Sequence, residues 1–169
     1  MTLPRDTIAV VVGIEEYQVG RAWRLDGPAL DACRFARFLT SRGVPANRIT
    51  LLISPLSENV DAVKEQSQGY SVRAADHATV REVFTQYLPS KTSRLLVLYW
   101  GGHGVIEQEE RRLFYADATR LDGTVALADR GWRETGPVTA PGTTSVFAGF
   151  RFPPEVISIA VRWYLRYGL

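Results

Sequence analysis

The chain has 169 residues, of which 46% are hydrophobic and 22% are charged, and this balance is typical of one folded domain rather than a disordered segment. Its net charge of +2 is too small to predict nucleic acid or an anionic membrane as partner, and no apolar run approaches the ~20 residues that cross a bilayer. A single cysteine, Cys33, excludes an internal disulfide, and the first residues lack a signal-peptide pattern, so we expect a cytoplasmic protein.

The first element is a continuous β-branched run at residues 8–12, Ile-Ala-Val-Val-Val, which predicts a strand buried on both faces of a sheet. Two adjacent carboxylates, Glu15 and Glu16, follow it. Such a pair could supply a general acid and a general base. Because neighbouring side chains there alternate in direction, we expect both to face solvent, and we assign them no catalytic role.

A helix-start signal follows at residues 26–28, Asp-Gly-Pro, where proline suits the first helical position because its missing N–H would be unpaired there. The next apolar residues recur on one face and predict an amphipathic helix that packs on the sheet and ends near Gly43. Asp31 lies in the first turn, where a carboxylate interacts favourably with the helix dipole. Cys33 lies one turn inside the helix, which favours a buried apolar role over that of a nucleophile.

The middle of the chain predicts a second strand at residues 49–53 and a long surface loop at residues 54–75, where large apolar residues are few. Thr79 and Glu82 have the spacing of a capping box, in which Thr79 caps the start of the helix. Apolar residues at helical spacing over 80–88 then predict the second helix, which the following proline ends.

A second continuous apolar run, residues 95–99, precedes Gly-Gly-His-Gly at 101–104. The order strand, helix, strand, helix, strand predicts an α/β fold, a three-layer sandwich with a mostly parallel sheet. Ligands of such sheets bind beyond the carboxyl ends of the strands, where we expect His103. The flanking glycines predict a sharp turn that brings substrate close to the imidazole. A lone histidine is also often structural, so both roles stay open at this point.

The hexapeptide Tyr-Trp-Gly-Gly-His-Gly at residues 99–104 resembles the histidine signature of the caspase-like cysteine peptidases, the superfamily of metacaspases, paracaspases and bacterial caspase homologues. Further similarities, in the family's order, are the first strand at 8–14 with Tyr17, the opening of the first helix at 25–32, and the turn and second strand at 43–52. The resemblance covers residues 7–122.

This resemblance implies a caspase-like sandwich in which His103 assists a cysteine thiolate that attacks a peptide carbonyl, while the backbone N–H of Gly104 helps hold the oxyanion. It also implies that Asp31 lines a pocket for basic side chains of a peptide or protein substrate. No cofactor or metal is expected, and calcium dependence stays open. The family's cysteine would lie about 50 residues after the histidine, near residues 148–150. The chain has no cysteine there or anywhere after Cys33.

The remaining sequence changes character. Residues 105–116 predict a hairpin, and residues 123–145, rich in glycine, proline and threonine without periodicity, predict a linker. Residues 147–157, Phe-Ala-Gly-Phe-Arg-Phe-Pro-Pro-Glu-Val-Ile, resemble the start of an insertion-sequence transposase. Residues 146–169 therefore predict a transposase-like C-terminal helix, with an apolar stripe over 156–167, and the sheet is expected to be incomplete on its C-terminal side.

We therefore interpret residues 7–122 as a truncated caspase-like cysteine endopeptidase domain that retains the catalytic histidine, lacks the nucleophile and is inactive as this chain. One alternative is a non-catalytic regulatory or binding module. Another is a DNA-binding remnant of a transposase, although no nucleic-acid partner is expected from the charge, and a single helix leaves no recognition helix for a major groove. The sequence does not predict the oligomeric state.

Overall fold

Parallel strands form the centre of the fold. The computed structural model describes residues 6–107, 110–121, 124–126, 132–133 and 158–164, and side chains over 6–104 and 113–118. Four of the strands that pair in parallel lie in the spatial order β3-β2-β1-β4, and these are β1 (Thr7–Ile14), β2 (Ile49–Ser54), β3 (Ser71–Ala74) and β4 (Leu95–Glu107). The predicted α/β class with a mostly parallel sheet is confirmed.

Strand β1 lies between β2 and β4, and all eight of its residues are buried. Its side chains alternate between the two faces of the sheet, so that Val10 and Val12 contact one core cluster and Val11 the other. A strand covered on both faces needs apolar residues at every position, which is why the run is continuous rather than alternating.

Helix α1 (Pro28–Ser41) covers one face of the sheet, together with α2 (Val60–Gln66). It begins at the predicted proline, and Gly27 precedes it with a φ of 109°, a conformation that favours glycine. The helix approaches β1 closely because Gly13 has no side chain: a Cβ there would lie 2.5 Å from the carbonyl oxygen of Pro28. The predicted amphipathic helix is confirmed.

Helix α3 (His77–Glu82) covers the opposite face and continues as a π-helical turn (Val83–Tyr87), giving the predicted three layers. Its N-cap is Asp76, whose Oδ1 accepts the N–H of Thr79 at 2.7 Å. The predicted capping box of Thr79 and Glu82 is therefore wrong, because the helix begins two residues before Thr79 and an aspartate caps at least as well as a threonine. Glu82 instead forms an ion pair with Arg73.

The predicted long loop at residues 54–75 is also wrong, since this segment contains α2 and β3. Its few apolar residues are well placed: Leu56 and Val63 are buried. Strand β3 is mostly exposed and is held by parallel pairing with β2, from Thr50 opposite Ser71 onward. A short edge strand supported by backbone pairing leaves little hydrophobic pattern in the sequence.

Strand β4 does not turn at the glycines, contrary to the prediction, but continues to Glu107. Its first part pairs with β1, and where β1 ends, antiparallel pairing with β5 (Glu110–Leu113) takes over, with Gly104 opposite Leu113. Glycine is compatible with extended backbone, so the available partner decides the conformation. The predicted hairpin is confirmed.

Shorter strands follow. These are β6 (Thr119–Leu121), β7 (Thr124–Ala126) and β8 (Trp132–Arg133), of which β6 pairs with β7 and β8 pairs with β5. Thus β7 and β8 fall within the predicted linker at residues 123–145, most of which lies outside the described residues.

Residues Ser158–Tyr164 form strand β9, parallel to β4, with Val97 opposite Ser158 and His103 opposite Tyr164. The predicted C-terminal helix is therefore wrong over this segment, and the DNA-binding alternative loses part of the helix on which it depends. Branched and aromatic residues in the segment suit a strand, and β9 pairs an edge of β4 that would otherwise be open. The rest of residues 146–169 lies outside the described part. No described helix is long and apolar enough to cross a membrane.

Candidate active site around His103

The candidate site lies where β1 and β4 come to an edge of the sheet. Strand β2 lies on one side of β1 and β4 on the other, so the chain reverses its direction of growth across the sheet at this pair. Crevices at such switch points are the usual ligand sites of open α/β sheets. Glu15 and Tyr17 follow β1, and His103 lies on β4 two residues beyond Gly101, the last β4 residue paired with β1.

His103 is buried, with 6% of its surface exposed, and hydrogen bonds to both its ring and its backbone fix it. Its Nε2 lies 2.9 Å from the backbone carbonyl oxygen of Trp23. Its backbone N–H donates to the hydroxyl of Tyr17 at 2.7 Å, and its carbonyl oxygen accepts the N–H of Phe114 at 3.1 Å. Both the ring and the backbone of the histidine are therefore held in place.

The contact with Trp23 determines the tautomer of the His103 ring. A carbonyl oxygen can only accept, so Nε2 carries a proton and donates. In the neutral ring the basic lone pair is then on Nδ1. A histidine whose ring is oriented by a hydrogen bond through one ring nitrogen has the arrangement expected of a general base.

Aromatic rings surround His103. The Trp23 ring packs edge to face against two rings: its centroid lies 5.1 Å from that of His103 and 5.0 Å from that of Phe114. The Tyr17 ring lies 5.0 Å from the imidazole. Trp23 ends a short 3₁₀ turn (Arg21–Trp23), so one residue supplies both a ring contact and the accepting carbonyl. Trp23 could not be predicted as a site residue, because a backbone carbonyl has no residue-type signature.

Tyr17 anchors the strand at the histidine. Burial raises the pKa of its hydroxyl well above the ordinary value, while the N–H of His103 lowers that pKa by less, so the phenol stays neutral. Its oxygen occupies the space beside Gly102, where a Cβ would lie only 2.7 Å from it. The glycine in the motif is thus required for the approach of Tyr17.

Glu15 is fully buried, so the prediction that it faces solvent is wrong. Its Oε1 accepts the N–H groups of Gly27 and Ala29, each at 3.1 Å. Its Oε2 accepts the N–H of Leu56 at 2.9 Å and the side-chain amide of Asn59 at 3.0 Å. The carboxylate thereby satisfies N–H groups at the start of α1, where the helix dipole also favours a negative charge.

The neighbouring Glu16 differs from Glu15. Its side chain is 35% exposed and forms an ion pair with Arg24 at 2.8 Å. Sequence reasoning treated the two glutamates alike because the donors that bury Glu15 come from 12 to 44 residues away along the chain.

The two other predicted site residues lie on different elements. Asp31 is in the first turn of α1 as predicted, and its carboxylate contacts Arg34 at 3.0 Å. Gly104 follows His103 on β4, opposite Leu113. Because Phe114 donates to the His103 carbonyl, Gly104 and Leu113 form a non-hydrogen-bonded pair, and the Gly104 N–H points away from β5. Substrate binding by Asp31 and oxyanion binding by Gly104 stay predictions.

Cys33 is completely buried between α1 and the sheet, as predicted. Burial raises the pKa of its thiol, and the nearby Arg37 lowers it by less. The thiol is therefore protonated at neutral pH and behaves as a small apolar side chain. Within the described residues, no group of three or more histidine, cysteine, aspartate or glutamate side chains is arranged to hold a metal ion.

Comparison with known proteins adds no assignment, because no protein-family model matches the chain and no curated protein matches it.

Proposed function

We propose that this chain is the histidine-bearing part of a caspase-like cysteine endopeptidase domain, cytoplasmic in location, and that it has no endopeptidase activity by itself. The observation that carries the proposal is the buried imidazole of His103, held through Nε2 by the Trp23 carbonyl at the switch point of the sheet. The hexapeptide at residues 99–104 supports the same function.

The geometry suits the chemistry of a cysteine peptidase. The base must take a proton from a thiol and later return it to the leaving amine. With Nε2–H bonded to Trp23, Nδ1 is the nitrogen that takes this proton, and the carbonyl oxygen stabilises the imidazolium that results. The Gly104 N–H is the candidate donor to the oxyanion.

The nucleophile is what this chain lacks. Cys33 is its only cysteine, and it is buried inside α1 with a raised pKa, whereas a nucleophilic cysteine needs a lowered pKa and access to substrate. The same feature favours a second candidate, a non-catalytic module that binds peptides without cleaving them.

Asp31 supports a preference for basic peptides. Its carboxylate, 17% exposed, already contacts the guanidinium of Arg34, whose side chain is 64% exposed. Because the Arg34 side chain is mostly exposed to solvent, a lysine or arginine of a substrate can displace it from the Asp31 carboxylate. A substrate cation would then lie at the start of α1, on the side of the sheet where a Cβ on Gly101 would lie 3.4 Å from Pro28.

Peptide binding to the whole chain tests this proposal. We expect Arg- and Lys-containing peptides to shift the NMR signals of the His103 ring, and Asp31→Asn to weaken this binding about tenfold, as loss of a charged hydrogen bond does. Asp61→Asn is the matched control, since Asp61 is an exposed acid in the first turn of α2. Equal affinity for acidic and basic peptides would contradict the role of Asp31.

Hydrolysis provides the second measurement. We expect no turnover of Arg, Lys or Asp peptides by the purified chain, because loss of a nucleophile removes several orders of magnitude in rate. Turnover that His103→Ala abolishes would contradict the inactive state and would make Cys33 the nucleophile.

A further inference from the structure

Glu15 connects three separate parts of the chain through one buried carboxylate. It accepts two N–H groups around the start of α1, one backbone N–H after β2, and one side-chain amide. Its backbone is fixed as well: its N–H donates to the carbonyl of Ser54 at 2.8 Å, and its own carbonyl oxygen accepts the N–H of Leu25 at 3.0 Å. A fully buried, fully bonded carboxylate is rigid, because moving it would leave several N–H groups unpaired.

Two of these bonds hold the segment of residues 21–27. Leu25 is attached through the backbone carbonyl of Glu15, and Gly27 through its carboxylate. The same segment carries Trp23, whose carbonyl oxygen accepts the Nε2–H of His103. The position of this carbonyl therefore depends on how the segment is attached near Leu25 and Gly27.

We propose that Glu15 is a positioning residue for His103: its carboxylate fixes the segment of residues 21–27, so that the Trp23 carbonyl stays in place to accept the imidazole Nε2–H. The importance of this for catalysis rests on the proposed function. The bond itself does not, because it is a property of the folded chain.

A competing cause of the same geometry is the packing of the Trp23 ring against His103 and Phe114. If these ring contacts alone held Trp23, removing the charge of Glu15 would leave the imidazole unchanged. Glu15 would then serve only to cap α1. The two cases differ in one observable, the strength of the Nε2–H bond.

Exchange of the His103 Nε2–H proton with water, followed by ¹⁵N-edited NMR on the whole chain, measures this strength. We expect Glu15→Gln to speed the exchange about tenfold, since an amide NH₂ cannot accept from the N–H groups that the carboxylate oxygens serve. Glu82→Gln is the matched control, with the same chemical change at a glutamate whose ion pair is with Arg73 of β3, and should leave the rate unchanged. The chain has two histidines, so His77 provides an internal reference.

A gentler variant covers the case in which Glu15→Gln does not fold. Asn59→Ala removes one donor to Glu15 together with a 3.5 Å contact to Asp26, so Asp26→Ala, which removes only the second contact, is its control. We expect Asn59→Ala to give a smaller acceleration in the same direction and Asp26→Ala to give none. An unchanged exchange rate in a folded Glu15→Gln variant would overturn the proposal, and so would an unchanged rate in Asn59→Ala if Glu15→Gln fails to fold. Peptide binding and cleavage are not part of this measurement, so failure of the proposed function is seen separately.

Discussion

The hydroxyl of Tyr17 accepts the backbone N–H of His103 at 2.7 Å, and this bond joins residues 86 positions apart at the edge of the sheet. The tyrosine is 1% exposed, so no water can replace its oxygen without a rearrangement of the core. The bond therefore ties the position of the histidine to the end of β1.

We predict that Tyr17→Phe lowers the free energy of unfolding by about 1–3 kcal/mol, because it leaves the His103 N–H buried without its acceptor. Urea denaturation measures this. Tyr70→Phe is the matched control: the Tyr70 hydroxyl bonds Thr40 at 3.1 Å in an exposed position, so its loss should cost about 0.5 kcal/mol. Equal losses in the two variants would show that the buried Tyr17 bond contributes no more to the free energy of unfolding than the exposed Tyr70 bond.

The same oxygen makes Gly102 sensitive to substitution. We predict that Gly102→Ala destabilises the chain by about 1–3 kcal/mol, because its methyl group would lie 2.7 Å from the Tyr17 oxygen. Gly101→Ala should cost less, since the nearest atoms to a Cβ there lie at 3.4 Å.

A double-mutant cycle identifies the cause of that loss. In a Tyr17→Phe background the clashing oxygen is absent, so Gly102→Ala should cost less than it does in the native chain. Strictly additive losses would place the clash somewhere other than the Tyr17 hydroxyl.

The N-cap of α3 gives a third prediction. Asp76→Ala should destabilise the chain by about 1 kcal/mol, as loss of an N-cap acceptor usually does. Thr79→Ala keeps the backbone N–H that Asp76 accepts and should cost much less. A larger loss for Thr79→Ala in thermal denaturation would restore the capping box that the sequence predicts.

Cys33 gives a fourth prediction, on reactivity. Its raised pKa keeps the thiol protonated, so we expect slow alkylation of the folded chain near neutral pH and fast alkylation in denaturant. Cys33→Ser should cost about 1–3 kcal/mol by burying a hydroxyl. Fast alkylation that His103→Ala slows would contradict a structural role.

The raised pKa of the Cys33 thiol also makes the stability of the folded chain depend on pH. In the unfolded chain the thiol ionises at its ordinary pKa, whereas the folded chain keeps its proton to a higher pH. Stability is therefore unaffected below the unfolded pKa and falls as pH rises above about 8.5. Cys33→Ser should reduce this alkaline loss, which denaturation at pH 7 and pH 10 would detect.

Sequence reasoning succeeded where the signal is local. The β-branched run of β1 and the glycine-proline start of α1 determine their own structures, because burial on two faces and the missing proline N–H act within a few residues. The same holds for Cys33, whose position inside an amphipathic helix predicts burial.

The failures share a different cause, which is that the deciding partner is distant. Glu15 is buried by donors that the sequence does not place beside it, and residues 158–164 take the conformation of the strand they pair with, rather than that of their helical spacing. The role of the Trp23 carbonyl cannot be predicted from the sequence, because every residue has a backbone carbonyl group.

The central place of β1 has a consequence during synthesis. Thr7 pairs with Leu95, which is made 88 residues later (95 − 7), so at about 5–20 residues per second the ribosome needs about 4–18 s to supply that partner. Meanwhile β1 can pair with β2 but keeps one apolar edge open, the kind of edge that recruits other chains. Slow translation between β2 and β4 should therefore increase aggregation of the nascent protein, whereas chaperones that cover extended apolar segments should protect it.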